Sequence, residues 1–268
     1  MRWLLLPLLV LVLLAPTPSQ GCPRQVLVKA GETVLVPPLA PGSPAAFFGT
    51  DADGRDNGCL VASGLRRSLQ MGLSVLLLAL PLGLVLGLGL GWRGWNVGLY
   101  GEIFVLAGLM LLAGSLYYRE VLALGLAVYM ARTVAVRVRT VLLEPFLEGA
   151  WAVGGGTLHI LIRHVLPHLA PVVPGLLATS FGLVFLWMAE LAVLGYYDQG
   201  GYFVQTGSGF ETVPMRRFLP LNPDLGQLIG TARFEWLFNT EQLLLPALML
   251  VLLTLAFSDL GRALSRHR

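Results

Sequence analysis

Apolar positions in this chain are gathered into long runs instead of recurring at the spacing of a soluble core. Residues 68–92 contain no charged side chain, and their length meets the roughly 20 residues that a bilayer-crossing helix needs. After the turn Arg93-Gly94-Trp95-Asn96, residues 97–116 form a second run holding one carboxylate, Glu102. Tyr117-Tyr118-Arg119-Glu120 reads as an interfacial turn, with its tyrosines at headgroup height. Residues 121–136 are the next span, with Arg132, Arg137 and Arg139 marking its end. Residues 169–197, with Pro171, Pro174 and Glu190, and residues 243–257 complete the spans. Gly83, Gly87, Gly89 and Gly91 suit close approach of helix backbones. The first run, 3–15, is short and follows Arg2. It reads either as a first span over 1–18 or as the apolar region of a signal peptide, followed by Thr17, Ser19 and Gly21.

The polar intervals set the organisation. Residues 19–67 are rich in Gly and Pro, with a weak strand-like patch at 25–28 and 33–36. Residues 198–242 are also polar and broken by Gly, Asn and Pro. Residues 140–168 are mixed and amphipathic. Basic residues flank membrane spans on the cytoplasmic side. The 132–168 connection and the tail from 258 carry the basic excess, whereas 198–242 sets three arginines against Asp198, Glu211, Asp224, Glu235 and Glu241. This places 140–168 and the tail in the cytoplasm, 19–67 and 198–242 outside, and 68–268 as the main membrane domain. Arg66 and Arg67, at an outer end, run against the pattern.

Composition supports the bilayer reading. The 268 residues are 56% hydrophobic and 12% charged, half the charge of a typical soluble domain, which carries roughly a quarter. Mean hydropathy is +0.74. A net charge of +3, with no basic run interleaved with aromatics, argues against nucleic-acid binding. The two cysteines, Cys22 and Cys59, share one polar stretch. They can pair if it faces an oxidising compartment; the alternative is two free thiols. No metal site is expected. Cys22 and Cys59 have no histidine close by, and the spacing of His164 and His168 is interrupted by Pro167.

The 140–168 connection is the most informative. Pro145 suits the first position of a helix. Phe146, Leu147, Ala150, Trp151 and Val153 recur on one face, with Glu144 and Glu148 on the other. Gly154-Gly155-Gly156 breaks this helix, and a second runs from Thr157 to the stop at Pro167. Periodicity alone is equally compatible with a helix lying in the headgroups.

The residues 146–154, Phe-Leu-Glu-Gly-Ala-Trp-Ala-Val-Gly, followed by 160–167, Ile-Leu-Ile-Arg-His-Val-Leu-Pro, resemble the "EAA…G…I…LP" loop of ABC importer permeases. More narrowly they are similar to the second, "C-type" permease subunit of the dipeptide/oligopeptide/nickel family. Residues 49–56 resemble that family's "GTDxxGRD", 64–69 its "GARxSL", and Tyr129-Met130-Ala131-Arg132 its "YAR". Ala189-Glu190 with Leu194-Gly195 resembles "AExSLSFLG", and 245–264 resembles its final span. Gly149 replaces the first Ala of the EAA core, Gly154-Gly155-Gly156 stands for "GAS", and Pro223-Asp224-Leu225-Gly226 stands where "PSWG" is usual.

The resemblance implies an all-α integral membrane protein of about six transmembrane helices with a MetI-like permease fold, lying in the cytoplasmic (inner) membrane with an uncleaved first span. It implies a transport subunit moving a small solute such as a peptide or nickel. The implied partners are a second homologous permease, two ATP-binding-cassette ATPases, an extracytoplasmic solute-binding protein and membrane lipid. Glu148, Gly149, Ala150, Trp151, Gly154, Leu166 and Pro167 would carry the ATPase coupling. No cofactor is expected. No GxxxxGK[ST] phosphate loop occurs, so ATP hydrolysis is assigned to other chains. The alternative is a proton-coupled carrier or membrane-embedded enzyme using Glu102 and Glu190, since intramembrane carboxylates face cavities or pair.

Overall fold

The computed structural model describes residue 22 and residues 28–30, 33–35, 37–43, 46–51, 53–95, 102–198, 201–206, 215–220, 223–233 and 240–266. The run 3–15 lies outside these residues. Among the described residues four helices are long and apolar enough to cross a membrane: Asn57–Arg93, Ser115–Leu142, Val173–Leu194 and Thr240–Ser265. The segment expected to span over 97–116 holds the helix Glu102–Ala113, with 96–101 outside the described residues. Gly114 stops it in the left-handed region, at φ 67°, its N–H donating to the Met110 carbonyl at 2.8 Å. A single 3₁₀ turn, Ser115–Tyr117, then leads straight into the next helix. Tyr118, expected at an exposed interface, is instead 2% exposed. It opens that helix, where its ring is carried inward, and Tyr117 faces out.

We number the helices α1 (Asn57–Arg93), α2 (Glu102–Ala113), α3 (Tyr118–Leu142), α4 (Pro145–Ala152), α5 (Thr157–Ile160), α6 (Leu166–Leu169), α7 (Val173–Leu194), α8 (Leu225–Ala232) and α9 (Thr240–Arg266). A π-helical turn, Leu161–Val165, joins α5 to α6. The strands are β1 (Val28–Ala30), β2 (Thr33–Leu35), β3 (Gly201–Thr206) and β4 (Met215–Pro220), paired as two antiparallel hairpins. Strand β2 falls within the expected 33–36, and β1 meets the expected 25–28 at Val28, residues 25–27 lying outside the described residues. The β3–β4 pair, with Gly201 opposite Pro220 and Thr206 opposite Met215, occupies a stretch read from sequence only as polar and irregular. The spanning part is helical throughout.

The chain divides into two compact units. One comprises residues 72–187 and 254–268. Its core is the ridge Leu122, Leu126, Met130, Val134 and Val138 of α3, all buried at a spacing of four. Gly83, Gly87 and Gly91 of α1 lie against it. A Cβ added at each would stand 2.7 Å from Met130 Cβ, 2.6 Å from Val134 Cβ and 2.7 Å from Val138 Cβ. Both sets rise together along the chain, so α1 and α3 run parallel, ridge into groove. Gly89 meets nothing. In the same unit α7 and α9 run antiparallel, with Gly175 against Ser265 and Gly182 against Thr254. Phe181, Phe185 and Phe257 cluster there, the Phe181–Phe257 rings 4.6 Å apart.

The other unit comprises residues 1–71 and 188–253. In it the "GTDxxGRD" residues build the start of α1. Gly49 and Gly54 both have positive φ, 73° and 74°, and a Cβ on Gly49 would strike the Leu39 carbonyl. Asp51 accepts the Arg55 backbone N–H and its Nε, each at 2.7 Å. Asp56 caps α1 by accepting the Cys59 N–H at 2.8 Å. Cys59, in the first turn, is joined to Cys22 by a disulfide, Cα to Cα 5.8 Å.

Candidate functional site

The candidate site is the connection between α3 and α7. After Leu142 the chain turns at Leu143-Glu144, and Pro145 opens α4 at its first position, where a missing N–H costs no hydrogen bond. Leu147 is the one fully buried residue of α4, at 1% exposure. Ala150 is half-buried and Glu148 faces solvent. Phe146 and Trp151 flank the buried side and remain 43% and 45% exposed. Trp151 meets Trp92 at the end of α1, ring centroids 6.1 Å apart. Val153, expected on the apolar face, is 90% exposed. It is the residue after the last helical position, so the helical period no longer sets its direction.

The glycine triplet resolves into three jobs. Gly154 takes φ 86°; its N–H donates to the Trp151 carbonyl at 2.9 Å and the Gly155 N–H to the Ala150 carbonyl at 3.1 Å. That is the Schellman pattern, which satisfies the last carbonyls of a helix and favours glycine at the left-handed position. A Cβ on Gly155 would lie 2.8 Å from the Ala150 carbonyl oxygen. Gly156 caps α5 and stands in open space, as does Gly149 inside α4. From α5 onward, Ile160 and Val165 are buried, whereas Leu158, Ile162 and Leu166 face out. Pro167 lies in the first turn of α6 and is exposed. The connection thus presents Glu148 and a broken apolar surface outward on a short helix with fixed ends.

Glu190 is half-buried on α7. The side chain of Glu102 is outside what the structure describes. Among the described residues no cluster of His, Cys, Asp and Glu suits a metal ion.

No family model matches the chain. Comparison with curated proteins finds the glutathione transport system permease protein GsiD of Escherichia coli O1:K1 at 27% identity over 231 residues. That alignment covers 81% of this chain and 70% of the relative. The protein of the same name from Shigella boydii serotype 4 is 28% identical over 231 residues, with the same coverage. The one from Pectobacterium atrosepticum is 26% identical over 235 residues, covering 83% and 71%. This chain is similar to these transport-system permease proteins. Like them, and with four described helices long and apolar enough to cross a membrane, it is a multi-pass protein of the cytoplasmic membrane.

The chain also holds a buried carboxylate, read from sequence only as one acid of an irregular loop. Asp224 is 2% exposed and caps α8, its Oδ1 accepting the Gln227 N–H at 2.8 Å. Burial pushes its carboxyl up to about 6, and the Asp198 charge adds to this. The Gln227 and Gly226 N–H groups and Arg67 pull the other way. Ser68 of α1 accepts the Leu225 N–H at 2.9 Å, and Gly64 of α1 lies against Leu225 and Leu228. An Asp immediately before the helix-forming run 225–232 was the available signal.

Proposed function

We propose that this permease subunit carries a small solute inward, driven by separate ATP-binding-cassette ATPases that grip α4. The observation that carries this reading is an exposed helix with a proline start and a Schellman stop. It presents Glu148, Phe146 and Trp151 from the loop between two spans, in a chain related along four-fifths of its length to transport permeases. A short rigid helix with fixed ends passes displacement without absorbing it. Glu148, Gly149, Ala150, Trp151, Gly154, Leu166 and Pro167 form the coupling segment. A second permease and an extracytoplasmic solute-binding protein complete the assembly. The loop 140–168 and the tail lie in the cytoplasm; 19–67 and 198–242 lie outside. The Cys22–Cys59 disulfide favours an oxidising compartment for the first loop, and Arg67, which runs against the basic-residue pattern, sits 4.0 Å from Asp198.

The relatives' name makes glutathione and short peptides the first solutes to try. Membrane vesicles holding the chain with the products of its neighbouring genes should take up labelled glutathione or dipeptide when ATP is supplied. Glu148→Ala should abolish that uptake while the chain still inserts. A cysteine at position 148 should cross-link to an ATPase subunit. Uptake that follows a pH gradient without ATP, or a position 148 that labels only from outside the cell, sinks the reading.

A further inference from the structure

The loop helix must be tied to the helix that enters the membrane, or its displacement is lost in the connection between them. The covalent link from α4 to α7 passes through the glycine triplet and the π-helical turn Leu161–Val165, both yielding elements. A direct side-chain link bypasses them. His168, in α6, stacks on Phe146, in the first turn of α4, with ring centroids 5.2 Å apart and planes inclined by 19°. The same imidazole lies with Nδ1 2.7 Å from the carbonyl oxygen of His164. A carbonyl only accepts, so Nδ1 carries the proton and donates. His164 sits in the π turn, and its own ring is 6.1 Å from Phe146, tilted by 51°.

We propose that His168 is a positioning residue for coupling, fastening α4 to the membrane-entering segment through its stack on Phe146 and its hydrogen bond to the His164 carbonyl. This rests on the reading of α4 as the ATPase-gripped helix. The two contacts are at right angles in function. The Nδ1–H bond fixes the rotation of the ring on its own helix, and the fixed ring face then sets where the first turn of α4 can sit. Aromatic stacking has a preferred offset geometry, so the pair resists sliding as well as separation. Leu147 and Ile160, both buried, hold the loop down without specifying that angle.

The test has one arm that needs no partner. In the full-length chain in lipid nanodiscs, Phe146→Trp places an emitter on the imidazole face. Its contribution, taken as the difference from the parent chain, should be quenched by contact with the stacked ring of His168. The quench should vanish when His168→Asn is added and persist when His164→Asn is added. A quench that survives loss of His168, or none at all, overturns the link. The second arm uses the assembled transporter. His168→Ala should lower solute moved per ATP hydrolysed by roughly tenfold, with the cross-link from position 148 to the ATPase retained. His168→Asn, which keeps a donor, and His168→Phe, which keeps a face, should each recover part of the loss. Parent-like coupling in His168→Ala overturns the proposal. Absence of the Glu148→Cys cross-link when His168 is unchanged instead overturns the reading of α4, and leaves the fluorescence result to stand or fall alone.

Discussion

Asp224 holds a carboxylate at 2% exposure, with the N–H groups of α8 as its hydrogen-bond donors and Arg67 and Asp198 as its charged neighbours. Its raised value means that the folded chain binds this proton more tightly than the unfolded chain does. Stability therefore increases as pH falls from about 6 towards 3.8, and the charged form is a fixed cost above that window. The cost is on the order of 2–3 kcal/mol. Asp224→Asn keeps an oxygen for the helix cap, since Asn caps as well as Asp, and removes the charge. The variant should melt higher than the parent at neutral pH, and its midpoint should no longer climb on acidification. A parent whose midpoint falls steadily from pH 7 to pH 5 would contradict this account.

At the scale of elements, α4 shows how two glycines five residues apart differ in what they do. A methyl on Gly149 meets nothing within 4 Å, so Gly149→Ala should strengthen the helix by about 1 kcal/mol through propensity alone. Gly154→Ala forces a side chain into φ 86° and should cost about 1–2 kcal/mol. Hydrogen–deuterium exchange over residues 145–156 reads both: slower in the first variant, faster in the second. Four of the spans and the start of α4 were legible because long apolar runs and a proline at a helix start are strong local signals. The β3–β4 pair was not, although Tyr202-Phe203-Val204 and Phe218-Leu219 are strand formers. Read against neighbouring bilayer runs, six-residue strands lack contrast. Helix α8 escaped notice for another reason. At eight residues, with Gly226 and Gly230 inside it, it is too short and too glycine-rich for its period to stand out in a polar loop. The direction of Val153 was misread because the helical repeat was extended one residue past the helix.

Across the whole molecule, the disulfide is the longest-range covalent constraint among the described residues, closing a loop of sequence separation 37. Such a closure limits the unfolded chain by an amount equivalent to about 4 kcal/mol in the chain-entropy picture. Cys59→Ser should lower the melting temperature of the detergent-solubilised chain, and reductant should lower the parent to the same value without affecting the variant. An unchanged parent under reductant would show that the α1 cap formed by Asp56 and the Asp51–Arg55 pair holds that region unaided.

The three glycines of α1 set a different limit, on movement. Where Gly83, Gly87 and Gly91 press directly on the Met130, Val134 and Val138 positions, there is no cushion of side chains to shear. The two rods are riveted at three points along one seam. Because α3 is the rod whose end leads within two residues into α4, any tug on that end reaches α1 undiminished, and the pair must tilt as one spar.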